Sequence, residues 1–156
     1  MLHPSTAKPL DETIKAIESA DCIVLGPGSV YTSIVPNLLV SGVSDAIAAS
    51  QAVKIYVCNV MTQPGETDNY AAADHVRAVA DHSERRIFDY VLVNQEKPDK
   101  PMLDKYAAEN QFFVEPNVAA IREMGYRPML GDYISQTDVV RHDPAKLADA
   151  ILKLIY

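Results

Sequence analysis

The apolar residues of this chain follow two patterns, helical spacing in some segments and short uninterrupted runs in others. In LDETIKAIESA they recur at helical spacing, which predicts a helix between Pro9 and Asp21. The runs CIVLG, KIYVCNV and YVLVN are predominantly apolar and rich in β-branched residues. Such runs are typical of strands that are buried on both faces of a parallel sheet.

Further helical segments separate these runs. Pro36 should break or kink any helix that begins at Thr32, and Thr67 or Asp68 should cap a helix that continues to about His82. The other predicted segments are the helices GVSDAIAAS, KPMLDKYAAEN, VAAIREM and Pro144 to Ile155, together with QFFVE and a segment around Tyr133 to Val140. Strands that alternate with helices predict a three-layer α/β fold, Rossmann-like, with a mostly parallel sheet.

In a sheet of this kind, ligands bind at the carboxyl ends of the strands. Functional residues are therefore expected in the loops that follow the strands: Gly26–Ser33, Asn59–Tyr70, Asn94–Pro101 and Thr137–Asp143.

Composition and charge narrow the classes of function. The 156 residues, 48% hydrophobic and 22% charged, suit one compact folded unit. A net charge of -7 with scattered Lys and Arg disfavours binding to nucleic acid or anionic lipid. Without a membrane-length apolar window or a leader pattern, we expect a cytoplasmic protein. We expect Cys22 and Cys58 to be buried free thiols rather than part of a disulfide or zinc site.

The segment GPGSVYTS after the first strand is a candidate anion site. Two glycines let a ligand approach the backbone closely, and the turn aims backbone N–H groups and short hydroxyls at one spot. A plain strand-to-helix turn explains the same pattern equally well. The sequence has no Walker-type motif, which argues against a P-loop NTPase. Binding of NAD is also disfavoured, because Tyr31 replaces the third glycine of the dinucleotide fingerprint and Cys58-Asn59 stands where an acidic residue would bind the ribose.

The loop NVMTQPGETDNYAAADH is rich in polar side chains. Its three carboxylates and its histidine could hold Mg²⁺ or act as acid and base. A solvated loop that ends in a helix cap is the alternative, and the loop lacks close metal-ligand spacing such as H-x-x-x-H.

Taken together, GPGSVYTSIVPNLLV, KIYVCNVMTQPGETDNYAAADH, DYVLVN and DVVRHD resemble the gluconeogenesis factor family of the CofD-like superfamily. The resemblance covers nearly the whole chain and implies a single CofD-like α/β domain over residues 1–156. It further implies a regulatory protein that binds a nucleotide sugar of the UDP-GlcNAc type and supports cell shape and envelope synthesis during gluconeogenic growth. A Mg²⁺-dependent transferase resembling 2-phospho-L-lactate transferase is the alternative.

The resemblance also implies the site residues. The diphosphate loop would comprise Gly26, Gly28, Ser29, Thr32 and Ser33, with Asn37 nearby, and the adjoining crevice would be lined by Asn59, Thr62, Gln63, Glu66, Asp68, Tyr106 and Arg141. No metal ligand is assigned. Arg141 supplies the forked cation that a diphosphate needs. The alternatives are an ion pair of Arg141 with Asp138 or Asp143 and a core position for Tyr106.

Members of this family are about twice as long and begin with a glycine-rich first βα turn. The resemblance therefore implies that this chain corresponds to the C-terminal half and lacks the N-terminal half. One sheet edge would then be uncovered. We expect a homo-oligomer to cover it; a fragment that pairs with a separate N-terminal chain is the alternative.

Overall fold

A computed structural model describes residues 7–136 and 139–156. The helices are α1 (Asp11–Ser19), α2 (Val35–Leu38), α3 (Val43–Ala49), α4 (Ala72–Asp81), α5 (Lys100–Ala107), α6 (Val118–Glu123) and α7 (Pro144–Ile155), and a π-helical segment, Val30–Ile34, leads into α2. The strands are β1 (Cys22–Leu25), β2 (Val53–Val57), β3 (Tyr90–Asn94), β4 (Arg127–Gly131), β5 (Ile134–Gln136) and β6 (Val140–His142).

The first four strands form one parallel sheet in the order β1-β2-β3-β4. β5 and β6 form a separate antiparallel hairpin, in which Ser135 is paired with Arg141. This hairpin follows β4 directly, so it lies beyond the carboxyl ends of the parallel strands. The α/β prediction with a parallel sheet is therefore confirmed.

Apolar side chains cover both faces of the sheet. On one face, Tyr56 and Val91 belong to a cluster that includes buried residues of α2, α3, α4 and α6. On the other face, Ile55 and Leu92 pack with Leu147 of α7. Burial of this apolar area drives the layers together and makes the sheet a rigid base for its loops.

The predicted helix after Pro9 and the predicted strands CIVLG and YVLVN are present, and α7 spans the predicted residues. Asp143 caps α7, since its Oδ1 accepts hydrogen bonds from the amides of Ala145 and Lys146 at 2.9 and 3.1 Å. The disturbance expected at Pro36 takes the form of the π-helical segment, in which the Val35 amide donates to Val30 O. Pro36, which has no N–H, then follows at the start of α2.

Other predictions were wrong in detail. Neither Thr67 nor Asp68 caps α4, which begins at Ala72 after Asp74 Oδ2 accepts the Ala71 amide at 2.9 Å. Asp68 and Thr67 instead accept amides within their own loop, from Gly65 and Gln63. β2 ends at Val57, before Cys58-Asn59. QFFVE contributes an isolated bridge between Phe113 and Met61.

The two cysteines are free, as predicted, but they differ in burial. Cys58 is buried, and the resulting desolvation raises the pKa of its thiol to about 12. Cys22 is only partly buried because β1 is the edge strand of the sheet.

Among the described residues, no single helix has the length and apolar character to cross a membrane. Val30–Leu38 and Val43–Ala49 meet both criteria only when taken together, and they are bent by 77°.

Candidate functional site

A cavity of about 420 Å³ opens where the ends of β1 and β2 face the β5–β6 hairpin. We call it the crevice. It is lined by Pro27, Gly28, Ser29, Asn59, Val60, Met61, Thr62, Gln63, Tyr106, Gln111, Val140, Arg141 and His142. Its position agrees with the rule that ligands bind at the carboxyl ends of parallel strands.

The first wall of the crevice is the glycine turn, Gly26–Ser29. Gly26 has a φ of +83°, and a Cβ there would lie 3.1 Å from Val57 O, so only glycine fits without strain. The amides of Gly28, Ser29 and Val30 make no hydrogen bond with any residue that the structure describes. Because Gly28 and Ser29 line the crevice, their free amides are available to an acceptor there.

The segment Asn59–Tyr70, here called the polar loop, fixes the turn from one side. Gln63 Nε2 donates to Ser29 Oγ at 2.7 Å. Two residues further on, the Tyr31 amide donates to Glu66 Oε1 at 3.1 Å, and the hydroxyls of Tyr31 and Tyr70 are 2.8 Å apart. The shape of the turn therefore depends on side chains more than thirty positions away in the chain.

The opposite wall is formed by β6. The Val140 amide donates to the hydroxyl of Tyr106 on α5 at 3.0 Å, and His142 Nε2 lies 3.2 Å from Cys58 O. Burial lowers the pKa of His142, although the contact with Cys58 O opposes this effect. Two contacts thus hold β6 against the rest of the crevice, one from a helix and one from the end of β2.

Arg141 lies between these two contacts and is exposed. Within the described part of the chain its side chain makes no ion pair or hydrogen bond. Asp143, one predicted partner, uses its carboxylate to cap α7. The other, Asp138, lies outside the described residues. The guanidinium of a crevice-lining residue is therefore not neutralised by any described carboxylate.

A family model described as 2-phospho-L-lactate transferase CofD matches residues 1–134. The chain belongs to the CofD family. The resemblance of its motifs to the gluconeogenesis factors is confirmed by relatives of that name. The gluconeogenesis factor of Halalkalibacterium halodurans is 46% identical over 97% of this chain, and that of Bacillus subtilis is 41% identical over 99%.

A solved structure has the same fold. The crystal structure of a member of the UPF0052 family from Bacillus halodurans matches 96% of this CofD-family chain with a TM-score of 0.93 and 44% identity. The match covers 48% of that structure, and the two relatives above are covered over 48% and 49% of their length. This chain therefore spans about half the length of the proteins that it matches.

The crevice of this CofD-family chain brings together about half of the predicted site residues: Gly28, Ser29, Asn59, Thr62, Gln63, Tyr106 and Arg141. Gly26, Ser33 and Asn37 instead line, with Gly28, a neighbouring groove of about 410 Å³ along β1. Asn37 Nδ2 donates to Ser33 O at 2.6 Å. Thr32 is exposed and lines neither space.

Glu66 and Asp68 do not line the crevice, and their carboxylates accept the amides of Tyr31 and Gly65. In the described residues, no group of three or more His, Cys, Asp or Glu side chains is arranged to hold a metal ion. The Mg²⁺ site that the sequence left as an alternative thus has no preformed set of ligands among the described residues.

The predicted site residues did not include six that line the crevice: Pro27, Val60, Met61, Gln111, Val140 and His142. Gln111 reaches it because the next residues pair with the polar loop: Thr62 donates its amide to Phe112 O at 2.8 Å and accepts the Phe112 amide on Oγ1 at 2.9 Å. No local sequence signal marks this contact across fifty residues. The Thr62 hydroxyl, a predicted ligand contact, thus accepts the Phe112 amide in the structure.

Proposed function

We propose that this CofD-family chain binds a nucleotide sugar of the UDP-GlcNAc type in the crevice. The observation that carries the proposal is the unpaired Arg141 on one wall, opposite the free amides of Gly28 and Ser29 on the other. A diphosphate between these walls would satisfy both, because a guanidinium donates in a fork and backbone amides need an acceptor.

The net charge of the chain explains why this ligand would need Arg141. A net charge of -7 makes the general surroundings unfavourable for an anion, so a bound anion needs a local cation. Arg141 supplies that cation, and Asn59 and the ring of Tyr106 are available for the sugar or the base. A ligand with a diphosphate, hydroxyl groups and a flat base matches this combination of side chains.

We further propose that binding serves regulation in the cytoplasm, as part of a protein that supports cell shape and envelope synthesis during gluconeogenic growth. The name of the relatives, gluconeogenesis factor, supports the link to gluconeogenic growth. The chain spans about half of those relatives, so the role is proposed for the protein to which these residues correspond.

The family model carries the name of a transferase, and this favours a second candidate, a group-transfer enzyme. Glu66 and Asp68, the carboxylates that would hold its Mg²⁺, each accept a backbone amide, and the described residues form no preformed metal-ligand group, so we derive no catalytic step from them.

Calorimetry with UDP-GlcNAc, followed by incubation with UDP-GlcNAc and Mg²⁺ and analysis for any product, tests both candidates. Saturable binding without turnover is expected. Sustained turnover would favour the transferase, and absence of binding would contradict the nucleotide-sugar site.

A further inference from the structure

The carboxylate of Glu66 lies directly beside the crevice wall without lining it. It accepts the Tyr31 amide at 3.1 Å, two residues after Ser29, which does line the crevice. Glu66 is partly buried and makes no ion pair with a described residue. An uncompensated negative charge therefore stands within about 10 Å of the crevice, since two residues span at most about 7 Å of chain.

The Tyr31 amide fixes the position of this charge next to the glycine turn. Gln63 and Tyr70, on either side of Glu66 in the polar loop, also contact the turn, through Ser29 Oγ and the Tyr31 hydroxyl. These two contacts anchor the polar loop to the turn on both sides of Glu66. A fixed negative charge at this range opposes each further negative charge on a ligand.

We infer that Glu66 determines how much negative charge the crevice accepts, favouring a diphosphate esterified at both ends over a ligand that ends in a free phosphate. This inference rests on the proposed nucleotide-sugar site. A terminal phosphate carries an additional negative charge near neutral pH, because its second pKa is about 6. UDP-GlcNAc, UDP and UTP therefore form a series of increasing charge on a common nucleoside.

The test measures the affinity of these three ligands by calorimetry at fixed ionic strength for the wild-type protein and for Glu66→Gln. The glutamine keeps an acceptor for the Tyr31 amide while removing the charge. Compared with the wild-type protein, Glu66→Gln should gain affinity for UDP and UTP relative to UDP-GlcNAc, by about two- to fivefold for each additional negative charge on the ligand. Glu12→Gln, an exposed change of the same charge on α1, should leave the three affinities in their wild-type ratio.

Glu66→Ala serves as a second variant because it also removes the acceptor. We expect Glu66→Ala to lower the affinity for all three ligands by a common factor. The ratios of the three affinities should also shift in the same graded way as in Glu66→Gln. A purely structural role of Glu66 would give the common factor alone, and unchanged ratios in both variants would overturn the inference. If the wild-type protein binds none of the three ligands, both the proposed function and this inference fail; binding with unchanged ratios removes the inference alone.

Discussion

The hydroxyl of Tyr106 accepts the amide of Val140, the residue immediately before Arg141, at 3.0 Å. Tyr106 belongs to α5 and Val140 to β6, so this bond joins the hairpin to a helix thirty-four residues earlier. The hydroxyl therefore acts on the position of Arg141, and Tyr106 is itself part of the crevice lining.

Tyr106→Phe tests this relationship. We expect affinity for UDP-GlcNAc to fall about three- to tenfold, because Arg141 is held less firmly. The melting temperature should fall by a few degrees at most, because one net hydrogen bond contributes about 0.5–1.5 kcal/mol to stability. Hydrogen exchange at the Val140 amide should become faster. Unchanged exchange together with weaker binding would mean that the hydroxyl contacts the ligand directly.

Gly28→Val tests the glycine turn. A Cβ at Gly28 would lie 3.3 Å from Ser33 Cβ, which a small shift can relieve, so the fold should survive while the bulky side chain blocks the free amides. We expect calorimetry to detect no nucleotide binding and melting to change little. Gly26→Ala is the contrasting variant, since its φ of +83° and the nearby Val57 O should make it lower the melting temperature. Wild-type affinity in Gly28→Val would reduce the turn to a structural connector.

The lowered pKa values of two histidines should make the stability of the fold depend on pH. Burial lowers the pKa of both His75 and His142 below 6.5, and His75 is fully buried with no partner for Nε2 among the described residues. Below about pH 6.5 the unfolded chain therefore binds more protons than the folded chain does. The free energy of unfolding should reach its maximum contribution from these histidines above that pH and should decrease as the pH falls below it. Each histidine can contribute up to about 1.4 kcal/mol per pH unit.

Urea unfolding between pH 8 and pH 5 measures this slope. His75→Phe, which retains an aromatic ring against Tyr70, should reduce the slope and leave the part due to His142. A slope identical to that of the wild-type protein would show that His75 is not protonated on unfolding.

Oligomerisation remains a prediction. Val24 on the edge strand β1 is 39% exposed, and its neighbour in register is Ile55, which packs beneath α7. An exposed apolar edge favours association with a second copy. Light scattering at micromolar concentration should show a dimer or larger species, and Val24→Lys should shift it towards monomer. A monomeric wild-type protein would contradict this expectation.

Sequence patterns predicted most of the sheet because β1, β2 and β3 are predominantly apolar and rich in β-branched residues. They predicted α7 because Asp143-Pro144 is a strong helix start. They missed β4, whose RPMLG contains a proline and carries no alternation; as an edge strand it tolerates Pro128. The contacts of Glu66 with Tyr31 and of Tyr106 with Val140 join distant residues, and local periodicity carries no information about such pairs.

The affinity of Arg141→Ala for UDP-GlcNAc, measured by calorimetry, tests the central claim most directly. Arg141 has no described partner, so its removal should cost the ligand a charge-assisted contact of about 1.5–3 kcal/mol and weaken binding at least tenfold, without lowering the melting temperature. Arg141→Lys should recover only part of the affinity because an ammonium lacks the planar fork. Arg122→Ala, the same loss of charge at an exposed position of α6, is the control. Unchanged affinity with a lower melting temperature would show that Arg141 stabilises the fold and that the nucleotide site lies elsewhere.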